Sequence, residues 1–367
     1  MKELEEIRKE IDEVDKIITE LFEKRMNLVM EVAEYKEKNS IPVSDSKREK
    51  KVIDKNIGYL KNKEYSEVLK EFYINFMNLS KKLERKRIYN EEKTSVNTSI
   101  YGLIGEKLGH SHSSYIHKLI FEKVGIKGIY NLFEVPKEKL KESVDTFKII
   151  KCGGLNVTIP YKVEVMKELY EISEKARKIG AVNTLKFSRE GISGFNTDYI
   201  GFGKMLSKFR VEIKNNICVV LGSGGAARAV LQYLKDNFAK DIYVVTRNPE
   251  KTSEIYGEFK VISYDELSNL KGDVIINCTP KGMYPKEGES PVDKEVVAKF
   301  SSAVDLIYNP VETLFLKYAR ESGVKAVNGL YMLVSQAAAS EEIWNDISID
   351  EIIVDEIFEV LEEKIKS

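Results

Sequence analysis

Along the first quarter of the chain, apolar side chains return every three or four residues. Leu4, Ile7, Ile11, Val14, Ile18, Leu21, Leu28, Val32 and Tyr35 form one stripe, uninterrupted by Gly or Pro. The spacing predicts one amphipathic helix from Leu4 to about Tyr35, roughly 45–50 Å long. A helix of that length seldom packs alone, so a bundled partnership is expected, often across a dimer. Asn39 to Pro42 breaks the pattern, and a second helix is expected to start at Ser44 or Ser46, either of which could cap it. A third follows Gly58, in YSEVLKEFYINFMNLSKKLERKR. After Ser99 the pattern changes: short β-like runs (SIYGLIG, GGLNV, NNICVVL, DIYVV, DVIIN) alternate with helical stretches, which predicts α/β layers. From Ile347 a last amphipathic helix closes the chain.

Glycine divides the chain at the same place. Residues 1–98 hold only Gly58 of the 22 glycines and only Pro42 of the 8 prolines. The fold class expected is therefore multidomain: an all-α unit over 1–90, a polar linker over 91–98, and an α/β remainder. The 58 Lys and Arg against 59 Asp and Glu leave a net charge of -1, so no basic field argues for nucleic acid. Cys152, Cys218 and Cys278 form no CxxC and read as free thiols of a reducing compartment. No apolar run reaches the roughly 18–20 residues of a spanning helix. A cytoplasmic protein with no membrane partner is expected.

In the helical unit, Arg25 stands between Leu21 and Leu28, where the period asks for an apolar residue. Lys36, eleven positions on, lies roughly 20° away around the helix. Two cations on one face either snorkel at the edge of a seam or line an anion pocket. The run IRKEIDEVDKIITELFEKRMNLVMEVAEYKEKNSIPVSDSKREKKVI resembles the all-helical chorismate mutase family, and the resemblance covers nearly all of residues 1–90. It implies an intertwined homodimer of three-helix chains that rearranges chorismate to prephenate without a cofactor. Arg8 would reach in from the partner chain to join Arg25 and Lys36, with Asp45, Arg48 and Glu49 on the second helix. Glu84 falls where the family often places a glutamine. As a carboxylate it would have to be protonated to donate there, favouring activity at lower pH. The other reading is a non-catalytic dimerising or effector-binding module.

In the α/β part, His110, His112 and His117 fall within eight residues, but no Asp, Glu or Cys completes a compact set, so no metal is expected. Ser111, Ser113 and Ser114 offer hydroxyls at a helix start. Asn156, Thr158 and Lys162 in GGLNVTIPYK, Asn183 in IGAVNTL and Asp198 in GFNTDYIGFG put polar groups at strand ends, where ligands bind in folds of this class. These segments resemble the shikimate dehydrogenase family, through the rest of the chain. The resemblance implies a substrate-binding domain over 99–203, a Rossmann-like domain over 204–330 and helices over 331–367 that return to the substrate domain. It implies that Ser111 and Ser113 hold the substrate carboxylate, with Thr158, Asn183, Tyr308 and Gln336 as further contacts. Lys162, paired with Asp198, would serve proton transfer. The reaction implied is reversible reduction of 3-dehydroshikimate to shikimate; with the mutase it belongs to the route to aromatic amino acids.

The cofactor segment NNICVVLGSGGAARAVLQYLKD reads as strand, glycine turn and helix. Gly222, Ser223, Gly224, Gly225 and Ala226 make the turn, and Ala227 takes the last small-residue place. In the strand that follows, the acidic residue expected to hold an NAD ribose is missing. Thr246, Arg247 and Asn248 stand there with Lys251 nearby, a set that suits the 2′-phosphate of NADP. Thr279 and Gly329 complete the cofactor contacts implied by the resemblance. A dehydrogenase accepting quinate, or using NAD, is the alternative.

Overall fold

The computed structural model describes residues 3–39, 46–88, 98–109 and 111–366. The chain divides into two compact units, Met1–Asn97 and Thr98–Ser367.

Among its described residues the first unit has three α-helices: α1 (Leu4–Lys38), α2 (Ser46–Tyr59) and α3 (Ser66–Ile88). The apolar stripe carries α1 through 35 residues without a break. Gly58 does not end a helix, as its place between two helical patterns suggested. It sits inside α2, with open space around it. The chain turns after it, at Leu60–Asn62, where the Asn62 side chain accepts from the Glu64 amide of a short 3-10 turn. Only Val29 and Ala33 of α1 are buried. Ile11, Val14, Ile18, Leu21 and Val32 of α1, and Val68, Phe72 and Leu79 of α3, are exposed. One copy of this unit therefore leaves most of its apolar stripe in water.

The second unit begins with β1 (Ser99–Gly105), α4 (Ser113–Val124), β2 (Gly128–Glu134), α5 (Leu140–Ile149) and β3 (Gly154–Val157). It continues through β4 (Glu171–Ile172), α6 (Glu174–Ile179), β5 (Thr184–Phe187), β6 (Ile192–Phe195) and α7 (Asp198–Lys208). These strands form a mixed sheet in the order β2-β1-β3-β5-β6-β4, with β5 antiparallel to both β3 and β6. The expected boundary at residue 204 falls within α7, which runs unbroken to the next layer.

That layer contains β7 (Ile217–Leu221), α8 (Gly225–Asp236), β8 (Asp241–Val245), α9 (Pro249–Tyr256), β9 (Lys260–Ile262) and α10 (Tyr264–Leu267). It ends with β10 (Val274–Asn277), α11 (Lys294–Val297), β11 (Ser302–Asp305), α12 (Leu314–Glu321) and β12 (Lys325–Val327). The near-continuous apolar runs of β7 and β10 are buried, as strands covered on both faces require. All six strands are parallel, in the order β12-β11-β10-β7-β8-β9. This is the doubly wound dinucleotide-binding order, with its crevice where β7 and β10 adjoin and the strand order reverses.

Finally, α13 (Leu330–Asn345) and α14 (Glu351–Lys366) cross back. Trp344 of α13 donates its indole N–H to the Leu185 carbonyl at 2.9 Å. Its ring lies over Gly154, where a Cβ would come within 2.2 Å of it. Trp344 thus packs α13 against β3 and β5 of the first sheet. Among the described residues, no helix is long and apolar enough to cross a membrane.

Candidate active sites

In the helical unit, Arg25 and Lys36 project from α1 onto α3. The Arg25 guanidinium donates to Ser80 Oγ at 2.5 Å and lies 4.3 Å over the Phe76 ring. Burial pulls its pKa below the ordinary value. Lys36 Nζ donates to Glu84 Oε2 at 2.8 Å, both groups being mostly covered. The two cations on this face therefore do not snorkel to solvent. They line one cradle with Ser80 and Glu84, which lie one turn apart on α3. Ser80 was not among the expected site residues, although its place four positions before Glu84 was the available signal.

Arg8 is elsewhere. It is exposed and paired with Glu5 at 2.8 Å, and 17 residues of helix put it about 26 Å along the axis from Arg25. One chain cannot bring the two together. Arg48 is exposed on α2; Asp45 and the side chain of Glu49 lie outside the described residues, as does His110.

The second constellation gathers at strand ends of the mixed sheet. Lys162, after β3, donates to Asp198 Oδ2 at 2.5 Å, and Asn183 Nδ2 donates to Asp198 Oδ1 at 2.9 Å. The Asn183 amide is oriented by the Thr197 backbone N–H, which donates to its Oδ1 at 2.7 Å. A main-chain N–H can only donate, so Nδ2 must face the carboxylate. Both Asp198 oxygens then accept, the arrangement that suits an anion. Asp198 opens α7, whose positive end also favours a carboxylate.

Around this pair, Ser111 Oγ donates to Ser113 Oγ at 3.0 Å at the start of α4. The Tyr308 ring meets His112 edge-on at 5.9 Å, and burial raises its hydroxyl pKa, keeping it a neutral donor. Thr197 Oγ1 reaches Gln336 Oε1 at 3.4 Å, tying α13 to the site. Thr158 follows β3, where its methyl packs against Gly105. His117 lies within α4. It is fully buried, bonded through Nδ1 to Glu341 at 2.5 Å and stacked 3.9 Å from Tyr130.

The glycine turn closes onto this pair. Gly222 has φ +96, a backbone that side chains resist, and a Cβ there would meet Thr279 at 2.9 Å. The ends of β7 and β10 are thus in contact. A Cβ on Gly225 would lie 3.8 Å from Lys162 Cδ, so the loop abuts the lysine. Gly224 caps α8 with open space before it, and Tyr256 donates to the Ser223 carbonyl at 3.0 Å. Open glycine backbone at a helix N-terminus fits a dinucleotide phosphate.

After β8, the four expected phosphate contacts separate by environment. Arg247 and Lys251 are exposed. Thr246 is buried and receives the Thr252 hydroxyl at 3.2 Å, while the Asn248 side chain caps α9 by accepting from the Lys251 amide. Thr246 and Asn248 thus hold the turn from which Arg247 projects. Gly329 has a packing reason: a Cβ would sit 2.1 Å from the Leu306 carbonyl oxygen.

Three family models match in succession: chorismate mutase type II over residues 7–85, the shikimate dehydrogenase substrate-binding domain over 103–185, and shikimate/quinate 5-dehydrogenase over 204–284. A shikimate dehydrogenase (NADP(+)) of Clostridium beijerinckii is 46% identical over 271 residues, covering 72% of this chain and 99% of its own. The chain belongs to the shikimate dehydrogenase family, with a chorismate mutase type II domain in front. The crystal structure of a chorismate mutase/shikimate 5-dehydrogenase fusion protein from Clostridium acetobutylicum matches with 99% identity and a TM-score of 0.72, over 74% of this chain and 100% of that one. A shikimate 5-dehydrogenase of Thermus thermophilus, in complex with NADP(H) and shikimate, matches at 29% identity and TM-score 0.65, over 71% of this chain and 99% of its own.

Proposed function

We propose that the chain is a two-site enzyme of aromatic amino acid biosynthesis. One site rearranges chorismate to prephenate; the other interconverts 3-dehydroshikimate and shikimate with NADP(H). The observation that carries the second assignment is the Lys162–Asp198 pair at 2.5 Å, abutting the glycine turn.

In the dehydrogenase site, Ser111, Ser113 and the Tyr308 hydroxyl hold the substrate carboxylate, and Thr158, Asn183 and Gln336 hold its hydroxyls. The nicotinamide cofactor, when bound, supplies or takes the hydride. The Lys162 ammonium donates toward the carbonyl oxygen being reduced and stabilises its alkoxide character. Asp198, kept an acceptor by Asn183, holds that ammonium in place. Gly222, Ser223, Gly224, Gly225 and Ala226 take the pyrophosphate; Arg247 with Lys251 takes the 2′-phosphate, which favours NADP over NAD. Thr279 and Gly329 shape the crevice around it.

In the mutase site the work is conformational and electrostatic, because the rearrangement is intramolecular. Arg25 and Arg8 of a second copy hold the two carboxylates in the folded conformer, Arg48 adds charge, and Lys36 faces the ether oxygen. Asp45, Glu49 and Glu84 complete the pocket, which two copies must share. The exposed stripe on α1 is the surface they share, making the protein a homodimer. The burial of Arg25 and Lys36 against Ser80 and Glu84 favours a working site over a purely dimerising module.

The purified chain is offered chorismate, and separately shikimate or quinate with NADP or NAD. Prephenate formation and preferred turnover of shikimate with NADP are expected. An absence of prephenate removes the mutase assignment, and faster turnover with quinate or with NAD corrects the dehydrogenase.

A further inference from the structure

A closed set of hydroxyls and amides lies behind the Lys162–Asp198 pair. Asn156, Asn183, Thr184, Thr197 and Ser340 are all buried, and Thr184, Thr197 and Ser340 are fully so. They come from β3, β5, the turn before α7, and α13. Asparagine Nδ2 can only donate and carbonyl oxygens can only accept, which sets the direction of every bond made to them. Ser340 Oγ donates to the Gln336 carbonyl one turn back, at 2.9 Å. It is then an acceptor toward Asn156 Nδ2, also at 2.9 Å. Thr184 Oγ1 accepts from Asn156 Nδ2 at 3.2 Å and donates to Asn183 Oδ1 at 2.9 Å. Asn156 Oδ1 is satisfied by the Tyr130 hydroxyl at 2.8 Å. The protons thus point one way, from Tyr130 through Asn156 and Thr184 to Asn183, whose Nδ2 points at Asp198. Hydrogen bonds aligned in series polarise one another.

We propose that Thr184 and Ser340 are positioning residues for the dehydrogenase reaction. Neither is given substrate to touch. Their hydroxyls fix the Asn183 amide, and through it the carboxylate that holds Lys162. Thr184 supplies the shorter of the two hydroxyl bonds to Asn183 Oδ1, 2.9 Å against 3.2 Å for Thr197 Oγ1, beside the Thr197 N–H at 2.7 Å. Ser340 fixes Asn156, the donor that keeps the Thr184 proton directed at Asn183. The inference rests on Lys162 and Asp198 being the reacting pair.

The test uses a choice of isosteres. T184V keeps the volume and loses the hydroxyl; T184S keeps the hydroxyl and loses the methyl. A packing role ranks valine above serine, while a positioning role ranks serine above valine. In the full-length protein we expect T184V to lower kcat for shikimate oxidation about tenfold or more, with KM for NADP within about twofold of wild type. T184S should stay within about threefold of wild-type kcat, and S340A should fall in the same sense as T184V. Thermal melts establish which variants are folded; should T184V not fold, the comparison of S340A with wild type decides. T184V equal to or faster than T184S, or T184V and S340A both within about twofold of wild type, overturns the proposal while leaving the dehydrogenase intact. A wild-type chain inactive with shikimate overturns the underlying reading and this inference with it.

Discussion

Lys162 and Asp198 illustrate how a single side chain acquires chemistry from its neighbours. A lysine after a strand is ordinarily a solvated charge. Here its ammonium is largely covered and held against a carboxylate, whose other oxygen receives Asn183. The lysine can then donate to a reacting oxygen without surrendering its own counter-ion. K162A should lower kcat for shikimate oxidation by about 10²–10⁴-fold, the range for loss of a positioned proton donor. Chorismate turnover by the same preparation should stay at the wild-type rate. NADPH absorbance and chorismate loss read the two reactions separately. A K162A protein that still oxidises shikimate within a few-fold of wild type would remove Lys162 from the chemistry.

Among the elements, the strand ends carry the most information. The runs SIYGLIG, ICVVL, DIYVV and VIIN all form the strands expected of them, because apolar runs between turn residues have few other ways to be buried. The positions that meet after those strands were legible where one segment held them together, as with Lys162 or the glycine turn. Asn156 and Ser340 were not read together, because 184 residues separate them and no local pattern announces their bond. Gly58 misled for the opposite reason, since an exposed glycine is tolerated within a helix at a cost of about 1 kcal/mol.

Asp305, at the end of β11, is another group whose role only the assembled sheet reveals. It is fully buried, and accepts from Asn277 of β10 at 3.0 Å, the Ile307 amide at 3.0 Å and Thr313 before α12 at 2.6 Å. Burial raises its pKa to about 7, against the pull of those three donors. Between about pH 4 and pH 7 the folded protein therefore holds a proton that the unfolded chain has lost. This contribution to stability is complete below pH 4 and is lost as pH rises through 7, by at most roughly 1.4 kcal/mol per pH unit. D305N keeps two acceptor bonds on its amide oxygen, can donate to Thr313, and cannot ionise. Urea unfolding at pH 5 and pH 7.5 should show a smaller loss of stability in D305N than in wild type. Equal losses would mean that Asp305 does not titrate in that window.

At the scale of the whole molecule, the two units have different completeness. The α/β unit brings Lys162, Asp198 and the glycine turn together within one chain. The helical unit holds Arg25, Lys36, Ser80 and Glu84 together, but leaves Arg8 about 26 Å away along α1 and the apolar stripe uncovered. Glycine scarcity in this unit accords with its helical build, because tight turns and positive-φ positions are where glycine is needed. If each mutase pocket takes Arg8 from a second copy, the two arginines can be supplied by different chains. R8A and R25A should each abolish most chorismate turnover when alone. After subunit exchange of an equal mixture, half the dimers pair unlike chains, and each such dimer has one pocket with both arginines intact. Mutase activity should then recover to roughly a quarter of wild type, while shikimate oxidation stays constant in every mixture. Differently tagged chains that co-purify without recovering activity would place Arg8 outside the pocket and confine the mutase site to a single chain.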